Sequence, residues 1–157
     1  MKKETPVTVC FPLCGGNVLL GMKKRGFGAG WWNGFGGKVK EGETATASVL
    51  RELAEESGLL AREGDLLEVA RMRFYLPDGA IMAGHAFLLS VWSGEPQETE
   101  EMRPQWFSLA AIPYESMWPG DERWLPEIFA GRKIEGEIRF GATTAEVASV
   151  RIEDAHF

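Results

Sequence analysis

The sequence predicts an α/β protein of the α+β kind, and three observations carry that reading. The stretch Gly37–Leu59 has a helical period, while several β-branched or apolar runs are punctuated by glycine and proline turns. One of those runs, AFLLSVW at 86–92, is apolar almost throughout, as expected of a strand covered on both faces. A chain of 157 residues, 45% of them hydrophobic, suits a single domain spanning residues 1–157 with a full-sized core.

In chain order, residues 5–13 (TPVTVCFPL) read as a first strand. Gly15, Gly16 and Asn17 form a turn, and Val18–Met22 return as a second strand, which predicts a hairpin. Residues 23–38, KKRGFGAGWWNGFGGK, carry six glycines in sixteen positions and no helical period. Glycine runs of this kind ordinarily mean tight turns. The large rings Phe27, Trp31, Trp32 and Phe35, followed by Lys38, suit a pocket wall beside a phosphate site. After the helix, Asp65–Leu76 is strand-like, with Leu67, Val69, Met72 and Phe74 as inward candidates. Pro77-Asp78-Gly79 is a turn, and Ile81–Trp92 is the strongest strand of the second half. Residues 93–104 form an acidic loop, and Gln105–Leu109 a short strand followed by a turn at Ala110–Pro113. Met117–Gly131 reads as a second helical region, with Pro119 near its start and Gly131 at its end. Lys133–Phe157 reads as two strands around a turn at Gly141.

Composition narrows the function. A net charge of −6, from 17 basic and 23 acidic residues, argues against a nucleic-acid polymer or an anionic membrane as main partner. A small phosphorylated ligand is still admitted. The opening MKKETPVTV lacks the apolar run of a signal peptide, so a cytoplasmic protein is expected. Cys10 and Cys14 read as reduced core thiols rather than a disulfide or a metal pair, and His85 as a satisfied core side chain.

The chemistry gathers on the helical stretch. At roughly 100° per residue, Glu52, Glu55 and Glu56 fall within an arc of about 100°, while Ala45, Val49, Leu50 and Leu53 form an apolar face. Like charges at these spacings repel, and Glu55 and Glu56 sit in the last turn, where the helix dipole disfavours anions. A solvated acidic face partly neutralised by Arg51 accounts for such a pattern. So does a site for a hard divalent cation, for which clustered carboxylates are the natural ligands.

The residues around the cluster fit a known signature: Gly37, Glu43, Arg51, Glu52, Leu53, Glu55, Glu56, Gly58 and Leu59 fill every specified position over 23 residues. The chain is thereby identified as resembling the Nudix hydrolases. That resemblance implies the Nudix fold, a mixed β-sheet sandwiched between helices, and a loop–helix–loop that binds Mg²⁺, with Mn²⁺ as an alternative. Glu52, Glu55, Glu56, Glu101 and the carbonyl of Gly36 would be ligands. It further implies that Glu43 pairs with Arg51 and braces the loop.

Outside the signature, GMKKRGFGAG, WNGFGGKV, EMRP and MWP with Trp124 and Pro126 resemble the animal MutT-type branch of the family. That branch converts oxidised purine nucleoside triphosphates such as 8-oxo-dGTP to the monophosphate and pyrophosphate, sanitising the nucleotide pool. The resemblance implies that Thr8, Phe27, Asn33, Phe74, Met82, Trp118, Asp121 and Trp124 line a purine pocket, with Phe35 also among the substrate-binding residues. Lys23, Gly36, Gly37 and Lys38 would lie toward the phosphates, Glu56 or Glu101 would activate water, and the protein would act as a monomer. The alternatives are a Nudix hydrolase for another nucleotide, such as an undamaged dNTP or a nucleoside diphosphate sugar, and a non-catalytic nucleotide-binding module.

The chemistry of the pocket residues agrees. An indole can stack on any purine face, so specificity must come from the base edge. Asn33 can donate and accept at once, or spend its side chain on its own turn. The branch has two adjacent aspartates where this chain has Gly120 and Asp121. Without a neighbouring carboxylate to share a proton, Asp121 is expected to stay ionised and 2-oxo-dATP to be handled poorly.

Overall fold

In the computed structural model, which describes residues 3–157, the elements run β1 (Glu4–Cys14), β2 (Asn17–Lys23), β3 (Trp32–Asn33), α1 (Ala45–Ser57), β4 (Leu66–Tyr75), β5 (Ile81–Leu89), β6 (Met102–Ser108), α2 (Asp121–Phe129), β7 (Ile134–Phe140) and β8 (Val147–Asp154). The strand order is β3-β2-β1-β5-β4-β7-β8, with β6 paired to β2. The sheet is mixed: β1 runs parallel to β5 and β4 parallel to β7, while the other pairs are antiparallel. The expected hairpin between β1 and β2 forms, but only Leu13–Val18 and Cys14–Asn17 pair. The main partner of β1 is β5, along nine residue pairs.

Two cores lie on opposite faces of this sheet. Along β5, Ala86 and Leu88 belong to one cluster and Phe87 and Leu89 to the other, so the apolar run is covered on both sides as far as Leu89, while Ser90 and Val91 are exposed. Val49 and Leu53 of α1 pack with Cys10, Phe87 and Leu89; Trp124, Leu125 and Ile128 of α2 pack with Phe11, Met72 and Ile138 on the other face. Burial of each such aliphatic chain is worth roughly 1.5–3 kcal/mol, which anchors α1 by the side away from its acids. Its ends follow local chemistry. Thr44 Oγ1 accepts the Ala47 N–H at 3.1 Å, and Gly58 takes the left-handed conformation, φ 79°, in which glycine is unstrained.

Several boundaries differ from expectation for local reasons. The chain leaves β5 after Leu89 because Ser93 exchanges backbone hydrogen bonds with Leu60 instead. Helix α2 begins at Asp121 rather than Met117, since Pro119 disfavours helix before it and Gly120 has φ 97°. Leu67 is exposed although it pairs with Leu88 on the face of Ala70, Met72 and Phe74, because it lies near the strand's start, outside that core; a bulge between Glu68 and Ala70 leaves Val69 and Ala70 both buried. Cys10 and Cys14 are both free thiols, but only Cys10 is in the core, and Cys14 is exposed. His85 is only half-buried, its Nδ1 2.6 Å from Glu68 Oε2. Among the described residues no helix is long and apolar enough to cross a membrane.

Candidate active site

A cavity of about 810 Å³ opens where the β1–β5–β4 strands meet α1, the 23–38 segment and the approach to α2. Every residue that the sequence singles out for the site lines it, except Phe35 and Trp32. Phe35 is fully buried in the cluster beneath α1 and does not reach the cavity. Its backbone is held by two hydrogen bonds to Cys10, at 2.7 and 2.9 Å, which turn the ring toward the helix side. Trp32 is likewise core, edge-on to Phe107 at 4.9 Å. Phe27 and Trp31 are the rings of that run that reach the wall.

At one end of the cavity the glycine loop and α1 are pressed together. The Gly36 N–H donates to Glu56 Oε1 at 2.9 Å, and Gly37 O accepts the Thr8 N–H at 2.9 Å. No side chain fits at either glycine: a Cβ on Gly36 would fall on the Thr8 carbonyl oxygen, and one on Gly37 would lie 2.8 Å from Glu52 Oε1. Close approach of backbone to carboxylate is what this pair of glycines permits. Arg51 organises the remaining acids. It holds Glu43 bidentately at 2.7 and 3.0 Å and reaches Glu52 at 2.9 Å and Glu55 at 3.3 Å. At the same end, Glu101 Oε1 accepts from Arg25 Nη2 at 2.7 Å and Nε at 3.1 Å.

These contacts separate the glutamates electrically. Hydrogen bonds from Arg51, then from the Lys40 N–H, pull Glu43 down to about 2. Arg25 likewise lowers Glu101. Glu56 goes the other way: burial pushes its carboxyl up to about 8, the Gly36 N–H opposes this, and the charges of Glu52 and Glu101 add to the rise. Among the described residues no three acidic, histidine or cysteine side chains converge on one point, for Arg51 and Arg25 hold their partners aside. The donor set, all carboxylate and carbonyl oxygen, nevertheless fits a hard divalent cation. Glu56 is the physical reason: burial disfavours its charged form, with Glu52 and Glu101 adding to the cost, and a cation beside it would offset both.

The opposite end is aromatic. Trp118 lies 5.0 Å from Phe27 and 6.2 Å from Trp31, and Phe74 lies 6.1 Å from Trp124. Asn33 Oδ1 accepts its own turn's Gly34 N–H at 2.7 Å, and the residue also lines the cavity. Asp121 is buried, with Oδ1 accepting the Trp124 indole N–H at 3.1 Å. Here the sequence expectation fails. Burial pushes Asp121 up to about 7, so without any carboxylate neighbour at position 120 it is still half protonated near neutrality. Gly120 itself could not easily be an aspartate, since at φ 97° a Cβ would meet Ile138 Cδ1 at 3.0 Å.

Sequence reasoning missed several lining residues, among them Lys40, Met72, Pro119 and Phe140. Lys40 could have been found as the third lysine near the signature. Phe140 carries no signal, since it arrives from β7, beyond the recognisable motifs.

Comparison with known proteins agrees with this geometry. Residues 3–128 match the NUDIX domain model. The chain is 46% identical over 126 residues to the oxidized purine nucleoside triphosphate hydrolase of Danio rerio, covering 80% of each chain. It is 49% identical over 124 residues to the protein of the same description from Mus musculus, covering 78% of each. The crystal structure of a MutT protein from Bacillus halodurans superposes with a TM-score of 0.80 at 24% identity, over 95% of this chain and 97% of that one, which shows a shared fold.

Proposed function

The chain belongs to the Nudix hydrolase family, and on that premise we propose that it hydrolyses oxidised purine nucleoside triphosphates such as 8-oxo-dGTP to the monophosphate and pyrophosphate. The observation that carries this reading is a single cavity with four glutamates at one end and a buried carboxyl among tryptophans at the other. The spacing suits a triphosphate joined to a flat, edge-recognised base.

Hydrolases of this family use divalent metal ions, and Mg²⁺ is the ion proposed here, held by Glu52, Glu55, Glu56 and Glu101 with the Gly36 carbonyl. When bound, such an ion neutralises phosphate charge and makes bound water more acidic. Lys23 and Lys38 line the same end and offset the remaining phosphate charge. Of the two candidate bases, Glu56 is better suited. It is the enclosed member of the pair, fixed by the Gly36 N–H, whereas Arg25 makes Glu101 a weaker base. Glu56 Oε1 is committed to the Gly36 N–H, which leaves Oε2 to take the water proton. At the far end, Trp118 stacks on the base, and Asn33 and Asp121 read its edge. We take residues 1–157 as one domain acting as a monomer in the cytoplasm, with β7 and β8 completing the sheet.

A panel of 8-oxo-dGTP, dGTP and nucleoside diphosphate sugars, assayed with Mg²⁺ and with Mn²⁺, tests the reading. The highest kcat/KM is expected for 8-oxo-dGTP, with pyrophosphate as product. Preference for a diphosphate sugar, or release of orthophosphate alone, would overturn it.

A further inference from the structure

Trp31 has no part in the scheme above, yet it occupies a singular place. It lines the site cavity and also a neighbouring one of about 370 Å³, whose walls include Tyr114, Met117 and Pro119. Its ring runs within 22° of the Trp118 plane at 6.2 Å, while Phe27 meets Trp118 at 5.0 Å and 34°. The segment between them lies close along the same indole: a Cβ on Gly28 would sit 3.4 Å from Trp118 Cζ2. Gly26, Gly28 and Gly30 all have positive φ, 81°, 91° and 88°, which lets so short a loop fold back on itself.

The loop is tied at its base. The Gly30 N–H donates to Lys23 O at 2.8 Å and the Lys23 N–H to Trp31 O at 3.2 Å, while Lys24 is fixed to Thr99 O at 2.8 Å. Trp118 is tied by less: its carbonyl accepts the Asp121 N–H at 3.1 Å, and its side chain is gripped by no hydrogen bond among those of the described residues. It follows a short 3-10 turn and precedes Pro119 and Gly120, outside any helix or strand. Its plane is therefore set by the rings against it.

Resting on the purine-hydrolase reading, we propose that Trp31 is a positioning residue that holds the Trp118 ring in the orientation needed to stack on the base. The contact is to the ring's plane and carries no information about the base edge, so it governs affinity for purines at large. An aromatic pair of this kind is worth about 3- to 10-fold in binding.

The test compares wild type, Trp31→Ala and Trp31→Phe for steady-state kinetics with 8-oxo-dGTP and dGTP, and for calorimetric binding of 8-oxo-dGMP, which needs no turnover. Trp31→Ala is expected to raise KM about 3- to 10-fold for both nucleotides alike, with kcat within about 2-fold of wild type, and to weaken 8-oxo-dGMP by the same factor. Trp31→Phe should recover most of the loss. An unchanged KM and Kd in Trp31→Ala, or a fall in kcat alone, overturns the role of Trp31 while leaving the parent reading intact. A wild-type chain that neither hydrolyses purine triphosphates nor binds 8-oxo-dGMP overturns both.

Discussion

Arg51 grips Glu43 with two parallel bonds, Nε to Oε2 at 2.7 Å and Nη2 to Oε1 at 3.0 Å. The third nitrogen, Nη1, is thereby aimed at Glu52, 2.9 Å away. Glu43 thus acts on the proposed metal ligands at one remove, through the angle at which Arg51 is held. We predict that Glu43→Gln lowers kcat/KM about 10-fold or more while leaving far-UV circular dichroism unchanged. Arg51→Lys should be no milder, because a lysine cannot make the bidentate grip. Full activity in either variant would show that the clasp is idle.

Glu56 carries a second prediction, in which activity and stability move in opposite directions. Glu56→Gln should cut turnover by about 100- to 10,000-fold, as expected for loss of a general base. The folded-state pKa of Glu56 is raised to about 8, so the folded chain keeps a proton that the unfolded chain has released. Its contribution to stability is complete below the ordinary carboxylate range and is lost as pH rises to about 8. In metal-free buffer, Glu56→Gln should therefore unfold at a higher temperature than wild type at pH 8.5, with the gap closing toward pH 5. A gap that stays constant with pH would refute the assignment.

Asp121 gives a pH signature of its own. Protonated, it can donate to an adenine-like ring nitrogen; ionised, it accepts from the two donors of a guanine-like edge. With its pKa near 7, the ratio of kcat/KM for 2-oxo-dATP over 8-oxo-dGTP should rise as pH falls from 8 to 6. Asp121→Asn should flatten that dependence. A ratio independent of pH in wild type would mean that Asp121 does not titrate against the base.

Gly120 should not tolerate a carboxylate. At φ 97°, with Ile138 Cδ1 only 3.0 Å from an added Cβ, Gly120→Asp pays in backbone strain and in packing. The strain alone is of order 1–3 kcal/mol, which for a chain of this length lowers Tm by about 3–9 °C. Thermal unfolding of Gly120→Asp and Gly120→Ala measures it, and an unshifted Tm in both would show that the turn can relax.

Much of the site was legible because it is local. Glu52, Glu55 and Glu56 share one helix, so a periodicity argument brings them together, and Gly36–Gly37 stand directly before it. What escaped was tertiary. Phe27 and Phe35 look alike within one glycine-rich run, but only the pairing of Phe35 with Cys10 decides that it faces the core. Leu67 was misplaced because alternation reports which face a side chain shares, not whether anything covers that face near the strand's start. The protonation of Asp121 depends on how completely the surrounding elements enclose it, which no neighbour in sequence reports.

Strands β7 and β8 lie beyond residue 128, where the domain match stops. β7 nonetheless covers the open edge of β4 from Ala70 to Tyr75, buries Ile134 and Ile138, and contributes Phe140 to the cavity wall. Trimming the polypeptide to its recognised portion would strip one side of the sheet of its neighbour and leave a sticky, self-associating remnant rather than a minimal enzyme. On the proposed function, one wall of the nucleotide site is thus built from the last fifth of the chain, so a truncation guided by the recognised motifs would cost substrate grip as well as solubility.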